Sequence, residues 1–136
     1  MKLRNSILGI ILSIALSLSF YSLASSMDDP GFIIKRMVMC ESVAGNEPVA
    51  IGETFSADAE KVYCFLEAGN IEYDTIISFV WYFENKEMAS VSLPLTKGMR
   101  WRTYSSKKLA GLKGNWKVEL LESSGIVLNS VSFRVQ

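Results

Sequence analysis

The chain has 136 residues, with 14 basic and 14 acidic side chains, two cysteines and no histidine. Without imidazole, neither triads built on a histidine base nor histidine-ligated zinc or iron sites are available. A balance so close to neutral also lacks the broad electropositive footprint of a nucleic-acid or anionic-membrane binder.

Lys2 and Arg4 open the chain, and residues 7–23 then run without a charge. Ser22-Leu23-Ala24 places small residues at the two positions a signal peptidase reads, which predicts cleavage after Ala24, with Ser26 as the alternative. The expected organisation is a bacterial signal peptide over 1–24, a flexible tail over 25–32 and one domain over 33–136, periplasmic or secreted. No cysteine follows the apolar run directly, which argues against a lipoprotein. The rival reading is an uncleaved inner-membrane anchor facing the periplasm. Seventeen residues diluted by four serines lie at the short end of what spans a bilayer. Loss of Lys2 and Arg4 leaves twelve basic against fourteen acidic groups, a balance of −2. About 110 residues remain, enough for one core and not for two.

Beyond residue 30 the hydrophobic pattern has period two. Residues 32–40 and 61–68 read as strands, separated by a chain break at Gly45-Asn46-Glu47-Pro48. Each of these strands carries one cysteine, Cys40 and Cys64. An even count in an oxidising compartment permits a disulfide, worth about 3 kcal/mol by loop closure. Two buried thiols in apolar strands are the other reading. Two cysteines without histidine do not make a metal site.

Ile77, Phe79, Trp81 and Phe83 then alternate with Ser78, Val80, Tyr82 and Glu84, which turns one aromatic face to a core. Glu84-Asn85-Lys86-Glu87 closes a hairpin, Val91, Leu93 and Leu95 mark the next strand, and Lys97-Gly98 closes a second hairpin. Residues 100–105 follow as a strand. Residues 105–112 form either one helical turn or a crossover loop. Trp116, Val118 and Leu120 define another strand, Glu122-Ser123-Ser124-Gly125 a third hairpin turn, and residues 127–135 the last strand, with a bulge or bend near Asn129. Short strands joined by turns, with no long helical segment, predict an all-β, antiparallel, immunoglobulin-like sandwich of about seven strands in a single domain.

The densest chemistry lies in Arg100-Trp101-Arg102-Thr103-Tyr104-Ser105-Ser106-Lys107-Lys108. As a strand, it directs Trp101, Thr103 and Ser105 to one face and Arg100, Arg102 and Tyr104 to the other. Trp101 is then expected in the core with Trp81 and Trp116. The opposite face offers two guanidinium groups and a phenol, with Lys107 and Lys108 close behind, a set suited to carboxylates, phosphates or a stacked sugar ring. The competing reading is structural. Arg102 would lie over Trp81 or Trp116 and pair with a strand glutamate, while Tyr104 and Ser106 bond across a corner.

Ser105 and Lys108 also satisfy Ser-x-x-Lys by count. That spacing acts in catalysis at a helix start with partner motifs elsewhere, and none is present. Asp28 and Asp29 by the cleavage site, Glu84 and Glu87 at a turn, and Glu119 and Glu122 in a hairpin read as solvated charges, not as an acid pair for glycoside hydrolysis. The glycines of the domain are single turn residues without a phosphate-loop pattern.

Trp101-Arg102-Thr103-Tyr104-Ser105-Ser106-Lys107 followed by Gly114-Asn115-Trp116-Lys117-Val118 resembles the hallmark of the bacterial domain of unknown function 2914 (DUF2914) family. Glu47-Pro48-Val49, Val62-Tyr63-Cys64-Phe65 and Trp81 precede it in the family's order. Gly125, Leu128, Phe133 and Val135 follow, so the likeness runs over roughly residues 38–135. Phe79-Val80 stands where many members carry a histidine or polar residue, and Asn46 where an arginine is expected. The resemblance implies an exported β-sandwich and carries no established activity.

The expected function is an exported, noncatalytic module without cofactor or metal. It would bind a protein or an anionic or saccharide envelope component through Arg100, Arg102, Tyr104, Lys107 and Lys108, and not nucleic acid. The alternative is a structural or accessory envelope protein in which the basic–aromatic segment only stabilises the fold. A Ser-Lys hydrolase is the remote third reading.

Overall fold

A computed structural model describes residues 29–136. The predicted leader, both cleavage positions and Asp28 lie outside the described residues. Nine strands follow in order: β1 (Ile33–Ala44), β2 (Glu47–Ile51), β3 (Thr54–Phe55), β4 (Lys61–Ile71), β5 (Thr75–Phe83), β6 (Lys86–Leu95), β7 (Gly98–Lys108), β8 (Gly114–Glu122) and β9 (Val127–Val135). They form two sheets, ordered β2-β1-β4-β7 and β3-β9-β8-β5-β6. All pairings are antiparallel except the short parallel contact of β3 with β9. The fold is an all-β sandwich.

Alternation in the sequence becomes burial between the sheets. Val62, Cys64, Leu66 and Ala68 of β4 are fully buried, as are Ile77, Phe79 and Trp81 of β5 and Val118 and Leu120 of β8. Phe133 joins the aromatics. Trp116 stacks on it with ring centroids 5.8 Å apart, and Trp81 meets it edge-on at 6.1 Å. Burying each large apolar side chain contributes about 2–3 kcal/mol before entropy is counted. Trp101 lies on the inner face of β7 as the alternation predicts, but β7 is an edge strand, so the indole stays half-buried against the core.

Four differences from the sequence reading have local causes. Gly45-Asn46 does not break the chain: both residues have φ near +57°, the conformation of a tight hairpin turn, and join β1 to β2. Strands β2 and β3 account for the rise from seven strands to nine, and β3 is only two residues long. Lys97-Gly98 is not a hairpin turn, because β6 and β7 lie in different sheets and the chain crosses between them there. Residues 105–108 are neither helical turn nor loop: they continue β7, and a turn at Ala110-Gly111 follows, closed by Leu112 N to Leu109 O at 3.0 Å. The bulge near Asn129 is present. Leu120 pairs with Asn129 and Leu121 with Val127, which leaves Leu128 as the extra residue.

Cys40 and Cys64 are both buried and both free. The register pairs Met39 with Cys64 and Cys40 with Tyr63, so the two side chains point to opposite faces of one sheet. Cys64 enters the core and Cys40 the far side, and thiols whose Cβ vectors diverge in this way cannot bridge. Burial pushes both thiols up from their ordinary range.

Candidate functional site

The outer face of the β1-β4-β7 sheet gathers the charged and aromatic side chains. On β7, Arg100, Arg102, Tyr104, Ser106 and Lys108 point outward, opposite Gly69, Glu67, Phe65, Tyr63 and Lys61 of β4. On β1, a bulge between Ile34 and Arg36 adds one residue to the strand. The Lys35 stem then lies over Gly69, in the space a Cβ would fill. Arg36 stands opposite Glu67 in the register. Lys35, Arg36, Lys61, Arg100, Arg102 and Lys108 therefore share a face with the carboxylates of Glu47 and Glu67.

Glu47 reaches this face by an unexpected route. It pairs with Ala44 at the tip of the β1–β2 hairpin, eight residues along the strand from Arg36. Extended strand of that length measures about 26 Å, farther than an arginine and a glutamate side chain span together. Yet the Glu47 carboxylate meets Arg36 at 3.0 Å, Arg102 at 2.6 Å and Arg100 at 3.8 Å. The hairpin therefore curls back across the sheet beyond Cys40, where pairing of β1 with β4 ends and pairing with β2 begins. Beneath it Cys40 and Phe65 are buried although they face away from the main core, and the Arg36 guanidinium lies 5.0 Å from the centre of the Phe65 ring.

Glu67 accepts from Arg100 at 3.2 Å and from Arg36 at 3.4 Å. The hydrogen bond from Arg36, joined by Arg102, holds the Glu47 carboxyl below the ordinary carboxylate range. Burial raises Glu67, but hydrogen bonds and charge from Arg100 and Arg36 outweigh it, and its titration also moves down. Three guanidinium groups and two carboxylates leave one positive charge in excess at this cluster.

Farther along β7 the side chains are less engaged. Tyr104 is 46% exposed and packs edge-on against Tyr63, with centroids 5.4 Å apart. The Lys61 ammonium lies 5.4 Å from the Tyr63 ring, and Lys61 stands opposite Lys108 in the register. Among the described residues neither Lys61 nor Lys108 is ion-paired. Lys107 does not join them. Being one residue out of phase, it faces the other way, 6.0 Å from the Trp116 ring.

Of the structural contacts expected of this segment, Arg102 does pair with a strand glutamate, Glu47 of β2, but it does not cover Trp81 or Trp116, which lie on the inner side of the opposite sheet. Tyr104 packs on Tyr63 in place of a bond with Ser106 across a corner. Trp81 donates its indole N–H to Ser105 Oγ at 3.0 Å in the buried interior. Ser105 and Lys108, three apart on a strand, consequently stand on opposite faces of β7, so the Ser-x-x-Lys spacing does not bring hydroxyl and amine together. Arg36, Lys61 and Glu67 are not singled out by the sequence, and Glu47 and Tyr63 enter only as pieces of the family resemblance, without a role. Glu67, the single acid in the apolar run 61–68, carried a readable signal, whereas the 55-residue separation of Glu47 from Arg102 carried none.

A larger cleft of about 550 Å³ lies on the other sheet, lined by Glu53, Tyr82, Glu84, Asn115, Lys117 and Arg134 among others. Its groups are mostly committed to one another. Lys117 covers the Tyr82 ring at 4.7 Å, the Glu119 carboxylate raises the titration of the Tyr82 phenol, and Glu84 accepts from Asn115 N at 2.7 Å. Among the described residues no cluster of three metal-ligating side chains occurs, and no helix is long and apolar enough to cross a membrane.

Comparison with known proteins agrees with the fold. Residues 74–135 match the family described as "Protein of unknown function (DUF2914)". The matched segment runs from the start of β5 to the end of β9 and contains both hallmark strings, while the earlier pieces in β2 and β4 lie outside it. An immunoglobulin-like protein from Pseudomonas aeruginosa superposes with a TM-score of 0.56 at 11% identity, over 77% of this chain and 96% of that one. The C-terminal domain of wzt gives 0.52 at 9% identity, over 78% and 74%. A beta-glucosidase from Listeria innocua gives 0.48 at 9% identity, over 76% of this chain but only 15% of its own length. No curated protein matches the chain. The first two likenesses, at these identities, establish an immunoglobulin-like sandwich and nothing finer.

Proposed function

We propose that this chain, whose residues 74–135 carry the DUF2914 pattern, is an exported, noncatalytic β-sandwich module that binds an acidic partner through the outer face of β4 and β7. The observation that carries the reading is the combination on β7 and β4 of exposed Tyr104, its partner Tyr63 and the flanking ammonium groups of Lys61 and Lys108, which are not ion-paired among the described residues. Aromatic surface supplies contact area at low entropy cost, and cations beside it favour carboxylates. Export rests on the charge, apolar run and small residues of 1–24. The chemistry supports the noncatalytic part: imidazole is missing, and the Ser105 hydroxyl is buried against Trp81.

A purely structural role for the segment is favoured by a different observation, the contact of Arg102 with Glu47 that fastens the hairpin. The two readings separate on a Tyr104→Ala/Lys108→Ala variant. The binding reading expects a cooperative transition lowered by no more than about 1–2 kcal/mol, for the lost Tyr63–Tyr104 pair, and loss of capture of an acidic component from envelope extract. Unfolding of the variant, or undiminished capture, gives the face to structure.

A further inference from the structure

The β1–β2 hairpin holds a carboxylate where a partner's carboxylate would go. Three guanidinium groups from two strands converge on Glu47, and planar guanidinium groups in this arrangement form a carboxylate receptor. We propose that Arg36, Arg100 and Arg102 form a docking site for an acidic side chain of a partner protein, and that Glu47 is its tethered, exchangeable occupant. The partner chemistry rests on the binding function proposed above. The exchange is an additional claim.

Four observations carry the exchange. The occupant is loosely enclosed, with the Glu47 side chain 48% and Arg100 52% accessible to solvent. Side-chain hydrogen bonding between the hairpin tip and the sheet, among the described residues, comes from the Glu47 carboxylate alone. The cluster keeps a positive excess after Glu47 and Glu67 are counted, and Lys35 adds another charge beside it. Finally, a cleft of about 320 Å³ opens next to the occupant, lined by Asn46, Arg100, Trp101 and Arg102, with room for a second acidic group. Arg100 is the entry point: it touches Glu47 only at 3.8 Å and is held more closely by Glu67 at 3.2 Å.

A tethered carboxylate competes at an effective concentration in the millimolar range, so a single free carboxylate does not displace it, whereas an acidic run with several contacts does. Displacement loosens the hairpin rooted at Cys40, which pairs with Ile51 and whose buried thiol donates to Tyr63 O at 3.7 Å. Binding is thereby coupled to exposure of a buried thiol, while Cys64 in the main core stays covered.

Calorimetric titration with hexaglutamate at low salt tests this on the parent, Glu47→Gln, and Glu47→Gln/Arg102→Ala chains. The expected result is affinity about tenfold higher for Glu47→Gln, from removal of the tethered competitor, and loss of that gain in the double variant. Saturating hexaglutamate should also speed modification of Cys40 in the parent by a disulfide thiol reagent. Equal affinity of parent and Glu47→Gln overturns the exchange. Failure of Glu47→Gln to fold also overturns it, by showing Glu47 to be a fixed structural ion. If equal affinity is accompanied by loss of binding in Tyr104→Ala/Lys108→Ala, the binding face survives without the exchange. If none of the chains binds hexaglutamate, both fall.

Discussion

Ser105 shows how one side chain can mislead in sequence and still be indispensable. It looks like half of a catalytic spacing, but in the fold its hydroxyl is the acceptor for a buried tryptophan N–H. Ser105→Ala leaves that donor unsatisfied and is expected to cost about 1–3 kcal/mol in urea denaturation, while Ser105→Ala in a Trp81→Phe background costs less because no donor is stranded. Equal losses in the two backgrounds contradict the role. Glu47 makes a pH prediction. Hydrogen bonds from Arg36 and Arg102 hold its carboxyl below the value of about 4.3 for a free glutamate. Its contribution is therefore present above that value and lost as pH falls through the folded one. In calorimetric scans between about pH 5 and 3 the parent should lose melting temperature more steeply than Glu47→Gln. Parallel curves would contradict this, and solvent screening keeps the effect small. The alternation of β7 was legible from residues 100–105. The partner of Arg102 was not, since nothing local links positions 47 and 102.

The hairpins show what spacing can and cannot specify. Glu84-Asn85 and residues 122–125 close hairpins as read, because their turn chemistry is local. Gly45-Asn46 carries the same kind of signal, but the following Pro48 made it look like a break. That β2 then folds back over its own sheet depends on the distant arginines. Gly114 (φ 141°) illustrates a contact fixed at the level of two strands. A Cβ there would strike the Glu84 carboxylate that receives Asn115 N–H. Gly114→Ala should therefore cost at least about 1 kcal/mol, read as a lower midpoint in urea. An unchanged midpoint would mean the Glu84 contact contributes nothing. Since β1 and β4 present Cys40 and Cys64 on opposite faces, a reductant should leave the melting temperature unchanged, and thiol titration after denaturation should find both free. A drop on reduction would show a bridge and a different register of β1 on β4.

For the molecule as a whole, the two sheets depend on each other. The segment matching the DUF2914 family supplies four strands of one sheet and only β7 of the other, so it lacks the β4 side chains that share the core with Trp81 and Phe79. Residues 74–135 expressed alone should show no cooperative urea transition, whereas 29–136 should. A cooperative transition in the shorter piece would contradict this division of the core. The all-β class and the core tryptophans Trp81 and Trp116 could be read from period two alone, since burial between two sheets imposes it. The sheet assignment of β6 and β7 could not, because a crossover and a hairpin use the same Lys97-Gly98 signal. The basic–aromatic face is a product of this topology: β1, β4 and β7 bring together residues that are far apart in sequence. An amide chemical-shift map of the labelled protein titrated with hexaglutamate tests that face most directly. Shifts are expected to concentrate in residues 61–67, 100–108 and 44–47 and to be suppressed by high salt. Shifts centred instead on the cleft of Tyr82 and Arg134, or no shifts at all, would contradict it.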